Sequence, residues 1–177
     1  MKVYVPVLIF FLSVPLYAQK YRSESSSITF FSEATIEDIT AANEKASSLF
    51  NAGTGEVAYI VPISNFEFDK SLMKQHFNEK YMESDKFPNA LFKGKITGYD
   101  AGSASLQNVR AEGILTIHGQ SKKINVPGTL QFQNGMVRMN SSFIVELADY
   151  KIKIPKLLWQ NIAERVEVKI DFSYKPQ

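Results

Sequence analysis

From Arg165 to Lys175 apolar and polar residues take turns along the chain. Val166, Val168, Ile170, Phe172 and Tyr174 fall on one side, and Arg165, Glu167, Lys169, Asp171, Ser173 and Lys175 on the other. A period of two marks a β-strand with one buried and one wet face. The pattern recurs upstream. Val137, Met139, Phe143, Val145 and Leu147, with Ser141 among them, oppose Arg138, Asn140, Ser142 and Glu146. Leu130 and Phe132 alternate with glutamines, and Phe92, Gly94 and Ile96 with Lys93, Lys95 and Thr97. Val57, Tyr59, Val61 and Ile63 share a face, and Ile28 and Phe30 begin the series. Turn chemistry separates the runs. Asn134-Gly135 suits the positive φ angles of a type I′ hairpin turn, and Gly53-Thr54-Gly55, Asp100-Ala101-Gly102 and His118-Gly119-Gln120 mark further reversals. Strands at this spacing predict an antiparallel meander, closed as a barrel or stacked as a sandwich.

Three segments depart from that period. Asp69 is placed to cap a helix running to about Tyr81, with Leu72, Met73, Phe77 and Tyr81 at helical spacing. Pro155 suits the first position of a second short helical turn, whose buried side is Leu158, Trp159 and Ile162. Residues 35–50 show no strand period, and a loop or short helix there would reshape the barrel mouth.

The N-terminus changes the picture of where the protein works. Lys2 precedes an apolar run from Val3 to Leu16, and Ala18 is a small residue before a cut. The run is signal-peptide length, short of the ~20 residues a spanning helix needs, and carries Pro6 and Pro15. Residues 1–18 are therefore expected to be a cleaved secretory signal, and residues 19–177 one exported domain, periplasmic or secreted. There is no cysteine, so neither disulfides nor thiol chemistry contribute. With 20 Lys+Arg against 18 Asp+Glu and no basic strip, the footprint of a nucleic-acid binder is missing. Aromatic residues are abundant, with 13 Phe and 8 Tyr, enough for a core or a cavity wall.

Three motifs together resemble the YceI-like, polyisoprenoid-binding family. The first runs from Leu72-Met73-Lys74-Gln75-His76-Phe77 through Tyr81 to Lys86-Phe87-Pro88-Asn89-Ala90-Leu91-Phe92-Lys93-Gly94. The second is Gly113-Ile114-Leu115-Thr116-Ile117-His118-Gly119-Gln120-Ser121-Lys122-Lys123, and the third Tyr150-Lys151-Ile152-Lys153-Ile154-Pro155. The resemblance implies an all-β fold: an elongated, eight-stranded, antiparallel, lipocalin-like barrel with one or two short helices. It also implies a cavity for a long amphiphilic isoprenoid lipid, of quinone or polyprenyl phosphate type, held for transport, storage or stress protection. No other cofactor is implied. Transient membrane contact is expected of such a carrier, as a monomer or homodimer.

The aromatic set Phe66, Phe68, Phe77, Tyr81, Phe87, Phe92, Tyr150 and Trp159 supplies the candidate cavity lining, against the plainer reading that these rings fill a core. Lys93, Lys95, Lys122, Lys123, Lys151 and Lys153 lie near strand ends, as candidate partners of a phosphate head or simply as solvated lysines. An exported enzyme would have to use His76 or His118. His76 with Glu79 makes two metal ligands, fewer than a zinc site needs. A His118–Ser121 pair lacks an orienting acid and an oxyanion hole nearby in sequence. No paired carboxylates or phosphate-binding glycine loop appear. Binding without catalysis is the reading favoured, ahead of a small enzyme or a ligand-free structural barrel.

Overall fold

The computed structural model describes residues 20–33, 38–154 and 163–177. Among them ten strands form one antiparallel sheet: β1 Lys20–Ser32, β2 Ile39–Asn43, β3 Ser47–Asn51, β4 Glu56–Pro62, β5 Glu67–Phe68, β6 Asn89–Thr97, β7 Gln107–Ile117, β8 Gln120–Gln133, β9 Met136–Glu146 and β10 Arg165–Pro176. The sheet closes where β1 pairs with β10, setting Ile28 beside Ile170 and Phe30 beside Val168. Two of the staves are broken. β2 pairs with the end of β1 and β3 with its start, while β5 and β4 pair with β2 and β3 in turn. The ten strands therefore make an eight-stave barrel, closed by the β1–β10 pairing, with the two-residue β5 paired on one side only.

The alternating apolar positions point inward. Val137, Leu130, Phe172 and Tyr174 are fully buried, while Arg138 and Lys175 reach the surface. Two hairpins turn tightly. Asn134 and Gly135 have φ of 53° and 77°, and His118 and Gly119 have 50° and 68°, which is type I′ geometry in each case. Gly119 is required twice over, because a Cβ there would lie 2.6 Å from the Phe87 ring as well as sit at positive φ.

Within the stretch 35–50, which shows no strand period, the structure places strand β2 at Ile39–Asn43 and begins β3 at Ser47. Their inward positions are Ala41, Asn43, Ser48 and Phe50, all buried. Asn43 is tolerated inside because its side chain donates to Pro62 O at 2.7 Å and accepts from the Lys45 N–H at 2.8 Å.

The helix starts later than the Asp69 cap predicts. β5 is still paired to β2 at Glu67 and Phe68, and Lys70 is extended and gives no side-chain cap. Helix α1 covers Ser71–His76 and widens into a π-helical turn over Phe77–Tyr81, where the Met82 N–H reaches Phe77 O at 2.9 Å. This element lies over the barrel end where β4, β7 and β9 finish. The expected signal segment 1–18 and the helical turn expected after Pro155, with Leu158, Trp159 and Ile162, lie outside the described residues. No helix among the described residues is long and apolar enough to cross a membrane.

Candidate functional site

The barrel is filled at one end and open inside at the other. At the end bearing the Asn134-Gly135 turn, rings close the bore. Phe50 lies 6.3 Å from Tyr21, 5.8 Å from Tyr99 and 6.2 Å from Tyr174, and Phe172 lies 6.0 Å from Tyr174. At the helix end the inward faces enclose a cavity of about 320 Å³. Its wall comes from alternate residues of β1 (Ile28, Phe30), β9 (Phe143, Val145) and β10 (Val166, Val168, Ile170), with Val61 and Leu115 between. The helix supplies the roof through Met73, His76, Phe77 and Tyr81. A second chamber of about 90 Å³ continues it toward the middle of the barrel, sharing Ile28, Val61, Ala90, Leu115, Phe143 and Ile170.

The aromatic candidates separate by position. Phe66, Phe68, Phe77 and Tyr81 line the larger chamber. Phe77 sits at the centre of a ring cluster, 5.5 Å from Phe30, 5.5 Å from Phe66 and 5.1 Å from Phe68. Phe92 lines the smaller chamber. Phe87 and Tyr150 line neither: Phe87 packs edge-on against His118 at 4.6 Å, and Tyr150 is buried beneath the short turn Leu147–Tyr150. Trp159 lies outside the described residues. Burial raises the pKa of Tyr81, so its phenol stays neutral at the roof.

Tyr59 and Met139, which line the smaller chamber, belong to a hydroxyl chain. Ser48 Oγ and Tyr174 OH are 2.8 Å apart, Tyr174 OH donates to Tyr59 OH at 2.9 Å, and Tyr59 OH points to Met139 Sδ at 3.7 Å. The Tyr59 ring stands edge-on to Phe172 at 4.9 Å and lies 6.0 Å from Phe92. Burial raises both tyrosine pKa values, that of Tyr174 strongly, so the chain is neutral. Phe92 crosses the bore over Gly94. A Cβ at Gly94 would meet the Phe92 ring at 2.8 Å and the facing backbone at Glu112 O at 2.2 Å.

His118 belongs to a clip outside the cavity. Its Nδ1 lies 3.1 Å from Tyr150 O and its Nε2 3.0 Å from a Glu83 carboxylate oxygen. That ties the β7–β8 turn to the strap after the helix and to the turn after β9. Both ring nitrogens are thus engaged in joining these three segments. The other Glu83 oxygen accepts from Lys86, and these bonds, first Lys86 and then His118, hold the Glu83 pKa below the ordinary carboxylate value. His76 borders the cavity beside Phe77. No cluster of three or more His, Asp or Glu placed to hold a metal occurs among the described residues. None of Lys93, Lys95, Lys122, Lys123, Lys151 and Lys153 lines either chamber.

Reasoning from aromatic density missed Phe30, Phe143 and the aliphatic wall. Alternation places Ile28, Phe30, Val61, Phe143, Val145, Val166, Val168 and Ile170 on inward faces, but inward does not distinguish a packed bore from an empty one.

The YceI-like domain family's model matches residues 20–174. No curated protein matches the chain. Solved structures with a similar fold include a polyisoprenoid binding domain from Saccharophagus degradans implicated in plant cell wall breakdown, with TM-score 0.77 and 16% identity over 89% of this chain and 98% of that one. Burkholderia cenocepacia BcnA gives 0.71 and 17% over 84% and 95%, and a Campylobacter jejuni YceI protein 0.57 and 13% over 100% and 99%. At these identities the likeness concerns the fold.

Proposed function

The chain belongs to the YceI-like family, and on that premise we propose that it is an exported carrier that shelters the tail of an amphiphilic isoprenoid lipid in its barrel. The observation that carries this is the cavity itself. Two adjoining chambers are walled by inward aliphatic and aromatic side chains, the larger roofed by an amphipathic helix. A packed interior would favour a structural barrel instead. The Saccharophagus degradans neighbour, described as polyisoprenoid binding, supports the ligand class. The apolar N-terminal run supports export, which brings the protein to membranes where such lipids reside.

Desolvation is the mechanism. Removing several hundred Å² of tail from water at ~25 cal/mol per Å² gives on the order of 10 kcal/mol before the entropy of association is subtracted. That suffices for reversible capture without a chemical step. Extraction of the purified protein followed by mass spectrometry tests this reading. Recovery of a stoichiometric isoprenoid lipid is expected. Absence of lipid, together with no uptake of added isoprenoid alcohols or quinones, overturns it.

A further inference from the structure

The outer wall of the barrel differs from side to side. Two rows of outward residues cross β3, β4, β6, β7 and β8 in register. One runs Leu49–Ala58–Lys93–Ile114–Lys123, and its neighbour Ser47–Ile60–Leu91–Thr116–Ser121. Four large apolar side chains stand out of these rows into solvent: Leu49 is 55% exposed, Ile60 50%, Ile114 44% and Leu91 43%. Residues opposed across neighbouring strands lie within ~5.5 Å, and diagonal neighbours within ~8 Å, so Ile60, Leu91 and Ile114 make one patch around Lys93. Neither row holds an acid. Neither Lys93 nor Lys123 pairs with a carboxylate among the described residues, whereas the adjacent Lys122 is held by Asp149 at 2.9 Å. The next row, Glu56–Lys95–Glu112–Asn125, mixes both signs and ends the patch.

The wall from β7 round to β1 reads differently. One register row there is Asn108–Thr129–Asn140–Asp171–Ser27, without an apolar residue. Exposed Ile144 and Phe31 do occur on that side, but each is paired across from Glu167, which stands between them. Apolar surface therefore meets unpaired positive charge on one wall and a carboxylate on the other.

Charge decides what covers the first wall. A second copy docked two-fold through this face would bring two lysine-bearing surfaces together with no acid in either pair of rows to balance them. An anionic bilayer satisfies both features. Its phosphates take the ammonium groups, and short apolar side chains enter the boundary between headgroups and acyl chains. The lysine stems can lie along the apolar patch while their charged ends reach the phosphates.

We propose that the outer face of β4, β6 and β7 is a docking surface for an anionic lipid bilayer, with Ile60, Leu91 and Ile114 entering the interface and Lys93 and Lys123 meeting lipid phosphates. The contact lies outside the bore, so it stands apart from the carrier reading: vesicle binding can fail while lipid is still recovered from the barrel, and the reverse.

The protein purified after export is floated with vesicles of phosphatidylcholine alone and of phosphatidylcholine with phosphatidylglycerol in equal parts. Binding to the anionic vesicles should be at least about tenfold stronger and should weaken as salt is added. Lys93→Glu together with Lys123→Glu should reduce it at least about tenfold, and Ile60→Thr together with Ile114→Thr several-fold. Ile144→Thr, on the other wall, should leave it unchanged. Circular dichroism confirms the fold of each variant, and the single Lys93→Glu variant decides if a double variant fails to fold. The chain has no cysteine, so Ile114→Cys and Asn140→Cys each accept one environment-sensitive dye. Anionic vesicles should shift the dye emission to the blue in the first variant and not in the second. No binding, equal binding to both vesicle types, or full binding retained by the folded face variants overturns the proposal. So does self-association in sedimentation that Ile60→Thr with Ile114→Thr abolishes, which would give the face to a second copy.

Discussion

Removing one oxygen atom from the buried hydroxyl chain has a calculable cost. Tyr174 is fully buried, and its hydroxyl joins Ser48 Oγ at 2.8 Å to Tyr59 OH at 2.9 Å. Tyr174→Phe keeps the ring and its contacts with Phe50 and Phe172. It takes a partner from Ser48, itself buried, and from Tyr59. Two net hydrogen bonds at about 1 kcal/mol each, with part of the penalty for leaving buried groups unpaired, give a loss of about 2–3 kcal/mol. Tyr59→Phe should cost less, about 1 kcal/mol, because the Tyr174 hydroxyl can still turn to Ser48. The double variant should cost less than the sum, since both changes remove the same Tyr174–Tyr59 bond. Urea titration of the three variants measures these differences, and the Tyr174→Phe melting point should fall by roughly 5–10 °C. A Tyr174→Phe loss under about 0.5 kcal/mol, or Tyr59→Phe costing more than Tyr174→Phe, would refute the hydroxyl chain as a stabilising element.

Three other outcomes follow from the same coordinates. Because burial raises the Tyr59 and Tyr174 pKa values above 10.0, their contribution to stability is fully present below that value and is lost as pH rises through the raised ones. An alkaline urea series should show this fall, and Tyr174→Phe should blunt it; an identical slope in the variant contradicts the assignment. Glu83 shows the opposite sign: its lowered pKa stabilises the strap above 4.5, and that is lost as pH falls through the lowered value. The hydrogen-exchange protection factors of residues 82–88, taken against the intrinsic rate at each pH, should therefore fall in acid, and Glu83→Gln should lower them at neutral pH; unaltered protection in the variant would sink the clip. Gly94→Ala places a methyl 2.2 Å from Glu112 O and 2.7 Å from Gly113 Cα, which are backbone atoms that cannot move aside cheaply. A loss of at least about 1–3 kcal/mol is expected in denaturant, and a neutral effect would mean that β6 and β7 do not approach so closely.

The barrel was legible wherever the inward residue was large. Along β10 and β9 every second position is Val, Ile, Phe, Met or Tyr with few exceptions, and the period announces the strand. It was illegible along β2 and β3, whose inward positions include Ala41, Asn43 and Ser48 while Leu49 faces outward and is 55% exposed. Small and polar residues inside, stabilised by hydrogen bonds from distant segments, leave no periodic trace. The helix was visible from Met73, Phe77 and Tyr81, but its start was not, because the pairing of Glu67 and Phe68 with β2 is a contact between segments far apart in sequence. The cavity followed the same division. Phe66, Phe68, Phe77 and Tyr81 stood out as aromatic density, and they line it. The smaller chamber did not, since whether Phe92 fills or borders a void depends on Gly94, which its ring covers, and on Tyr59 from another strand.

Photolabelling locates the ligand most directly. A farnesyl analogue carrying a diazirine in its tail, irradiated with the protein and mapped by peptide mass spectrometry, reports which side chains touch the chain. The interior account predicts labels at cavity residues such as Phe77, Phe143 and Val168, competed away by farnesol. Labels confined to the exposed outer-face residues Ile60, Ile114 and Ile144, or unaffected by competitor, would contradict it.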